Sequence, residues 1–180
     1  LAVAESYRSI CLKALRAEVH MLTLTATHIP RTLQMALTGF SDLSLIASPP
    51  VDRLAVRTYV TPFDAVAIRE ALLREKYRTG QSFIIVPRIA DLPDMEAYLN
   101  ETVPEVKYVT AHGQMAGGEL ETRMNAFYDG RYDVLLSTSI IESGLDIPSA
   151  NTIVIHRADM FGLAQLYHCL LYTSDAADDT

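Results

Sequence analysis

The stretch that decides the fold of this chain is residues 134–162, Val134-Leu-Leu-Ser-Thr-Ser-Ile-Ile-Glu-Ser-Gly-Leu-Asp-Ile-Pro-Ser-Ala-Asn-Thr-Ile-Val-Ile-His-Arg-Ala-Asp-Met-Phe-Gly162. Its first part, Val134–Leu136, is an apolar strand that runs into small hydroxyl side chains. A turn containing Gly144 and Asp146 follows, and a second apolar strand begins at Thr152. Small residues at the carboxyl end of a buried parallel strand let backbone N–H groups approach a ligand phosphate. The stretch therefore predicts an open parallel α/β sheet that binds phosphate groups at its strand ends.

Strands and helices alternate through the second half of the chain, which predicts a parallel sheet with helices on both faces. The predicted strands are Val56–Val60, Phe83–Val86, Val106–Val109, Val134–Leu136 and Ile153–Ile155, and the predicted helices cover 65–78, 94–101 and 118–128. In the first helix Asp64 is the expected N-cap and Gly80 the stop. Ile68, Leu72 and Leu73 share its apolar face, and Glu70 can pair with Arg74.

The first fifty residues follow a similar pattern. Residues 12–27 predict a short amphipathic helix and then a strand, and helical spacing resumes at Leu33 after Pro30. Ser48-Pro-Pro-Val-Asp52 is a stiff, extended linker and the best candidate for a domain boundary.

Composition excludes several classes of protein. The chain has 180 residues, two cysteines far apart and a net charge of −7. It contains no apolar run of the roughly 20 residues that a membrane helix needs. The histidines and cysteines show no metal-ligand spacing, so we expect no metal site of their own. The acidity argues against a generally adhesive DNA-binding surface, although loop N–H groups and hydroxyls can still hold a DNA backbone.

Three blocks, taken together, resemble the superfamily 2 helicases and translocases. Thr25-Ala-Thr-His-Ile-Pro-Arg-Thr-Leu-Gln-Met-Ala-Leu37 is similar to the third conserved motif, Ala111-His-Gly-Gln-Met115 to the loop often named motif IVa, and Glu142-Ser-Gly-Leu-Asp-Ile-Pro148 to the fifth motif. Within the superfamily, residues 31–36 and 157–167 most resemble the bacterial transcription-repair coupling factors. The RecG-like fork-remodelling helicases are the close runner-up.

The resemblance implies a RecA-like fold of the P-loop NTPase type, with two motor lobes, ATP and Mg²⁺ between them, and double-stranded DNA lying across both. It assigns residues 1–50 to the end of the first lobe and a linker, although 1–11 fit poorly. Residues 51–168 are then most of the second, helicase C-terminal lobe, which is truncated. Residues 169–180 do not match the family, and we expect them to derive from frame-shifted or foreign sequence. His28 also departs from the family, which has Pro there.

Three parts of such a motor are missing from the sequence. It contains no Gly-x-x-x-x-Gly-Lys-[Ser/Thr] P-loop and no Asp-Glu box for Mg²⁺ and the attacking water. His168-Cys-Leu-Leu171 stands where the family's sixth motif carries an arginine finger. We therefore expect no complete catalytic site in this chain. ATP hydrolysis belongs to the full-length enzyme, in which the first lobe holds most of the ATP and Mg²⁺, and the fragment alone is predicted to be inactive.

The resemblance also assigns site residues. Gly144 would lie against the nucleotide and Asp146 near the ribose or the catalytic water; a glycine turn capped by Asp is the alternative interpretation. The predicted DNA-binding residues are those in the third motif and those at strand ends: Thr27, Arg31, Arg88, His112, Gly113, Ser137 and Thr138. Hydroxyls and N–H groups at strand ends can hold a phosphate, and a small Gly lets it come close. Arg123 is expected to be an ordinary solvated charge.

The implied function is part of an ATP-dependent, cytoplasmic double-stranded DNA translocase that displaces stalled RNA polymerase in transcription-coupled repair. RNA polymerase and nucleotide-excision repair factors would bind domains outside this chain. One alternative is a RecG-like fork-remodelling helicase, and another is a non-catalytic interaction module that kept the lobe fold. A Rossmann-like cofactor-binding domain is disfavoured because the sequence contains no Gly-x-Gly-x-x-Gly turn.

Overall fold

The computed structural model describes residue 44, residues 56–138, residue 147, residues 149–163, and residues 165, 166 and 169. All of these belong to one unit, Ser44–Thr180. Several sequence-predicted features lie outside the described residues: the elements at 12–27 and 33–40, the linker at 48–52, the turn at Gly144 and Asp146, and the chain beyond 169.

Three helices and four strands alternate along the described residues. They are α1 (Ala65–Tyr77), β1 (Gln81–Ile85), α2 (Leu92–Thr102), β2 (Tyr108–Ala111), α3 (Gly117–Tyr128), β3 (Val134–Ser137) and β4 (Ala150–Ile155). Short 3-10 helices cover Ile89–Asp91 and Ala158–Met160. Within the described residues, no helix is both long enough and apolar enough to cross a membrane.

The strands form one parallel sheet in the order β2-β3-β1-β4, as the alternation predicts. The two central strands are buried along their whole length, which explains the apolar runs Phe83–Val86 and Val134–Leu136. Successive side chains point to opposite faces. Ile84 and Leu136 pack with Leu72 of α1 and Leu99 of α2 on one face, whereas Phe83 and its neighbours pack with α3 on the other. The predicted layers of helix, sheet and helix are thus confirmed.

Helix α1 begins where the sequence predicts. The Asp64 Oδ1 atom accepts hydrogen bonds from the backbone N–H groups of Val66 (3.0 Å) and Ala67 (3.1 Å), so Asp64 is the N-cap. Among the described residues, no ion pair joins Glu70 to Arg74, in contrast to the expected pairing. Two other basic side chains of α1 reach loops elsewhere in the sequence: Arg69 pairs with Glu105 at 2.6 Å and Lys76 with Asp133 at 2.9 Å.

The predicted strand Val56–Val60 is wrong. Its residues are exposed, with 92% of the surface of Val60 accessible, and they belong to no strand of the sheet. Strand propensity stabilises an extended segment only where a neighbouring strand and a buried face receive it. No described residue supplies either to this segment. Strand β2 is also displaced by two residues from its expected position, because Val106 is still held in a turn by a bond from its N–H to Val103 O (3.1 Å).

Candidate nucleic-acid interface

The strand ends bring five of the predicted DNA-binding residues to one edge of the sheet, which we call the carboxyl edge. Because the strands are parallel, their last residues are neighbours: Ile85 pairs with both Ser137 and Ile155, and Ala111 pairs with Ser137. The pairing extends beyond the strands, since Val86 N donates to Ser137 O at 2.9 Å. Residues that follow the four strands therefore lie side by side: Arg88 after β1, His112 and Gly113 after β2, Thr138 after β3, and His156 and Arg157 after β4.

The hydroxyl of Ser137 is buried at this edge and has no hydrogen-bond partner among the described residues. Ser137 is 2% exposed and Thr138 6% exposed. Among the described residues, no hydrogen bond reaches Ser137 Oγ. Leaving a buried polar group unsatisfied costs about 1–3 kcal/mol, so such groups are rare in folded proteins. An unsatisfied hydroxyl at the end of a central strand is therefore a candidate ligand contact.

His112 carries a second buried polar atom at the same edge. Its Nδ1 atom is buried and receives no hydrogen bond within the part of the chain that the structure describes. A turn holds the residue in place, because Met115 N donates to His112 O at 3.1 Å. The following residue, Gly113, is exposed. Histidine can donate or accept through Nδ1, depending on its tautomer and charge, so His112 can serve either kind of ligand atom.

A charged group occupies the other half of the carboxyl edge. Asp91 accepts two hydrogen bonds from Arg88, from Nε and from Nη2, both at 3.1 Å. Arg157 lies 3.7 Å from the same carboxylate. The hydrogen bond from Arg88 lowers the pKa of Asp91, and the positive charges of Arg88, Arg157 and His156 add to this shift against an opposing effect of burial. The same hydrogen bond raises the pKa of Arg88.

Aromatic packing ties the start of α1 to the end of β4. The Phe63 ring meets His156 edge-on, with centroids 5.5 Å apart, and meets Tyr98 of α2 at 5.6 Å. Tyr98 is itself anchored by donating its hydroxyl to Ala65 O at 2.7 Å. These contacts fix the position of His156, and hence of the backbone that leads into Arg157.

The remaining sequence predictions have different outcomes. Thr27, Arg31, Gly144 and Asp146 lie outside the described residues. Arg123 is not simply solvated, as the sequence suggested, since it donates to Thr110 O at 2.7 Å and to Glu119 Oε1 at 2.7 Å. It joins α3 to β2.

Sequence reasoning missed Arg157 and Asp91. The rule that selected Arg88, a position directly after a strand, also selects Arg157, so that residue could have been found. Asp91 gave no such signal, because only the fold brings its carboxylate between two arginines that are far apart in the sequence.

The chemistry of the carboxyl edge fits phosphate oxygens rather than a cation. Its polar groups are two guanidinium groups, two hydroxyls and two imidazoles, with Asp91 as the carboxylate among them. Guanidinium and hydroxyl donors at strand ends are typical contacts to a nucleic-acid backbone. Across the described ranges, no group of three or more His, Cys, Asp or Glu residues could hold a metal ion.

Comparison with known proteins identifies a helicase domain. The family described as the helicase conserved C-terminal domain matches residues 65–170. The chain is similar to the transcription-repair-coupling factors of Rickettsia bellii (strain RML369-C) and Escherichia coli (strain K12), with 55% and 53% identity over 156 residues. Each of these alignments covers 87% of this chain but 14% of the relative.

Among solved structures, the chain is similar to RecG bound to a three-way DNA junction. The TM-score is 0.65 and the identity 38%, over 84% of this chain and 20% of that chain. The family match covers more than half of the chain and includes every described strand and helix. The chain belongs to the helicase conserved C-terminal domain family.

Proposed function

We propose that this chain is part of an ATP-dependent double-stranded DNA translocase of the bacterial cytoplasm, which displaces stalled RNA polymerase in transcription-coupled DNA repair. The observation that carries the proposal is the convergence of unsatisfied and positively charged groups at the carboxyl edge of a helicase-family sheet. Identities of 53–55% to transcription-repair-coupling factors favour this function over that of RecG, whose structure is 38% identical.

The carboxyl edge supplies the DNA contacts in this proposal. Ser137, Thr138, His112 and the backbone at Gly113 hold phosphates on the β2–β3 side, and Arg88 adds positive charge on the β1–β4 side. Such contacts read the backbone and not the bases, so the motor moves on DNA of any sequence. Thr27 and Arg31 extend the DNA track into the first lobe.

Nucleotide chemistry belongs mainly to segments outside this chain. In the proposal, Gly144 lies against the nucleotide and Asp146 near the ribose or the attacking water. The first lobe would hold most of the ATP and its Mg²⁺, and hydrolysis of that ATP would supply the free energy for movement. In the proposal, RNA polymerase and nucleotide-excision repair factors bind other domains of the whole protein. The chain spans 14% of the length of the relatives it matches.

A chimeric motor tests this proposal. Residues 12–167 of this chain replace the aligned segment of the Escherichia coli transcription-repair-coupling factor, and DNA-stimulated ATP turnover and release of a stalled RNA polymerase are measured. We expect both activities to persist. A folded chimera that remodels forked DNA but leaves the polymerase in place favours the RecG-like alternative, and a folded chimera without ATP turnover favours the interaction module.

Asp146 provides a sharper test in the same chimera. Asp146→Ala is expected to slow ATP turnover by about 100-fold if the carboxylate acts near the attacking water, since general acid–base and positioning groups contribute about that much. The matched control is Asp129→Ala, which removes an exposed carboxylate just after α3. Unchanged turnover in Asp146→Ala would reject the role. The isolated 180-residue chain, which has no P-loop, should hydrolyse no ATP in the same assay.

A further inference from the structure

Two arginines at the ends of neighbouring strands share one carboxylate. Arg88 follows β1 and Arg157 follows β4, and these strands pair through Ile85 and Ile155. Asp91 lies between the two side chains, with two hydrogen bonds of 3.1 Å to Arg88 and an ion pair of 3.7 Å to Arg157. We call Arg88, Asp91 and Arg157 the dibasic cluster.

The carboxylate of Asp91 serves the arginines instead of its own helix. Asp91 is the N-cap residue of α2, yet its side chain makes no capping hydrogen bond. Asp64 holds the same position in α1 and accepts two bonds from the first turn. A capping side chain stabilises a helix by about 1 kcal/mol, so Asp91 forgoes that contribution in order to hold Arg88. The lowered pKa of Asp91 fits this arrangement.

The dibasic cluster retains unused donors and an excess positive charge. Two guanidiniums against one carboxylate leave a net charge of +1. Arg88 uses two of its five N–H groups on Asp91. Arg157, at 3.7 Å, is too far away for a hydrogen bond, and its side chain donates none within the described residues. The side chains of Arg88 and Arg157 are 54% and 44% exposed, so the free donors face solvent.

The backbone of Arg157 is held in a conformation that side chains rarely adopt. Its φ of 53° and ψ of 56° are left-handed, and such residues persist only where their surroundings impose the conformation. The turn that follows contributes, since Met160 N donates to Arg157 O at 2.9 Å. The preceding residue, His156, is fixed by the Phe63 ring and by a bond from its N–H to Ile85 O at 2.9 Å. The surrounding contacts therefore hold the backbone of Arg157 in one conformation.

We propose that Arg157 acts with Arg88 to bind a phosphate group, and that Asp91 is the positioning residue that holds the two guanidiniums ready for it. The inference rests on the proposed function and deepens it, because it adds a second phosphate-binding position to the carboxyl edge, beside the hydroxyls of Ser137 and Thr138. A phosphate here belongs either to the DNA backbone or to a nucleotide. Both present the same oxygens to paired guanidiniums.

The test uses the complete 180-residue chain at low ionic strength, about 20 mM salt, where phosphate contacts are least screened. Arginine Nε–Hε NMR signals are followed while either a fluorescent DNA duplex or ATP with Mg²⁺ is added, and the DNA affinity is measured by fluorescence anisotropy. We expect the signals of Arg88 and Arg157 to shift. A shift with DNA identifies the backbone as the source of the phosphate, and a shift with ATP alone identifies the nucleotide.

Two variants that each remove one positive charge distinguish a phosphate-binding site at the dibasic cluster from non-specific attraction by surface arginines. Arg157→Gln is expected to weaken binding of the effective probe by about fivefold, as loss of one phosphate contact does. Arg131→Gln is the control, because Arg131 is an exposed arginine paired with an exposed carboxylate, Asp129, at 3.2 Å. It should change the affinity by less than about twofold. Equal losses in the two variants, or no shift of either arginine signal with either probe, overturn the proposal.

Asp91→Asn tests the positioning role separately. Removing a negative charge should tighten binding if Asp91 only neutralises the arginines, whereas a positioning residue predicts weaker binding in spite of the added charge. Tighter binding therefore overturns the positioning role. If Arg157→Gln has no effect while the chimera still releases RNA polymerase, this inference fails and the proposed function stands. If Arg157→Gln weakens binding but the chimera does not release RNA polymerase, the proposed function fails and the phosphate site stands.

Discussion

The two ends of the sheet differ in how their buried polar side chains are hydrogen-bonded. At the amino end, Gln81 Nε2 donates to Phe127 O (2.7 Å) and Tyr132 O (2.8 Å), and Asp133 Oδ2 accepts from Lys76 Nζ (2.9 Å) and Lys107 N (2.8 Å). At the carboxyl end, the described residues leave Ser137 Oγ and His112 Nδ1 without partners. One end uses its polar side chains to join loops to the sheet, and the other retains them at the site of the proposed phosphate contacts.

Glu75 is an exception that packing explains. This buried carboxylate of α1 accepts from Thr152 Oγ1 at 3.0 Å through Oε2, while Oε1 has no partner among the described residues. A Cβ atom on Gly80 would lie 2.0 Å from Oε1. The absent side chain of Gly80 therefore makes room for the carboxylate, which is enclosed by protein and away from the carboxyl edge.

The largest expected change in stability comes from removing the hydrogen bonds of Gln81 at the amino end of the sheet. Gln81→Met keeps the length of the side chain but leaves Tyr132 O without its side-chain donor, and we expect it to lower the free energy of unfolding by about 2–3 kcal/mol. Ser137→Ala, the matched change at the carboxyl end, should cost less than about 0.5 kcal/mol because Ser137 Oγ makes no hydrogen bond within the described residues. Urea denaturation measures both. Equal losses would mean that the two ends do not differ.

A smaller difference in the free energy of unfolding is expected between the two N-cap aspartates, Asp64 of α1 and Asp91 of α2. Asp64→Ala removes two capping hydrogen bonds and should destabilise the chain by about 1 kcal/mol. Asp91→Ala removes no capping bond and should cost less in urea denaturation than Asp64→Ala does. A greater loss from Asp91→Ala would show that the dibasic cluster is a main support of the fold rather than part of a binding surface.

The smallest expected effect is the protonation of Asp91 in acid, which should break the dibasic cluster. Its midpoint should lie below the usual pKa range of aspartate. The hydrogen bond from Arg88, the largest cause, lowers the pKa of Asp91 relative to its usual value of about 3.9. For a lowered carboxylate pKa, the stabilisation is present above the pKa of the unfolded chain and is lost as the pH falls through the folded pKa. A carboxyl NMR titration should show a low midpoint for Asp91 that rises in Arg88→Gln. A midpoint at or above the ordinary value would contradict this prediction.

Local sequence patterns predicted the structure correctly where the segment's own residues determine its conformation. The Asp64 cap, the buried apolar run Phe83–Val86 and the small hydroxyls of Ser137 and Thr138 at the end of β3 each appear in the structure as the sequence predicts. Val56–Val60 failed because an apolar, extended segment looks like a strand whether or not a neighbour is present to pair with it. The displacement of β2 has a related cause, since hydrophobic spacing does not show where a turn after a helix ends.

By itself, the sequence determined the class of the fold and the edge of the sheet at which we propose that phosphate binds, because parallel β-α alternation places every loop after a strand on one side. It also determined the family, through motifs read residue by residue. Only the tertiary structure decided which polar groups of the described residues are hydrogen-bonded and which are not. Asp91 and Arg157 are distant in sequence and meet because β1 and β4 are neighbours in the sheet. Strand order is set by the packing of the whole domain, which no local pattern records.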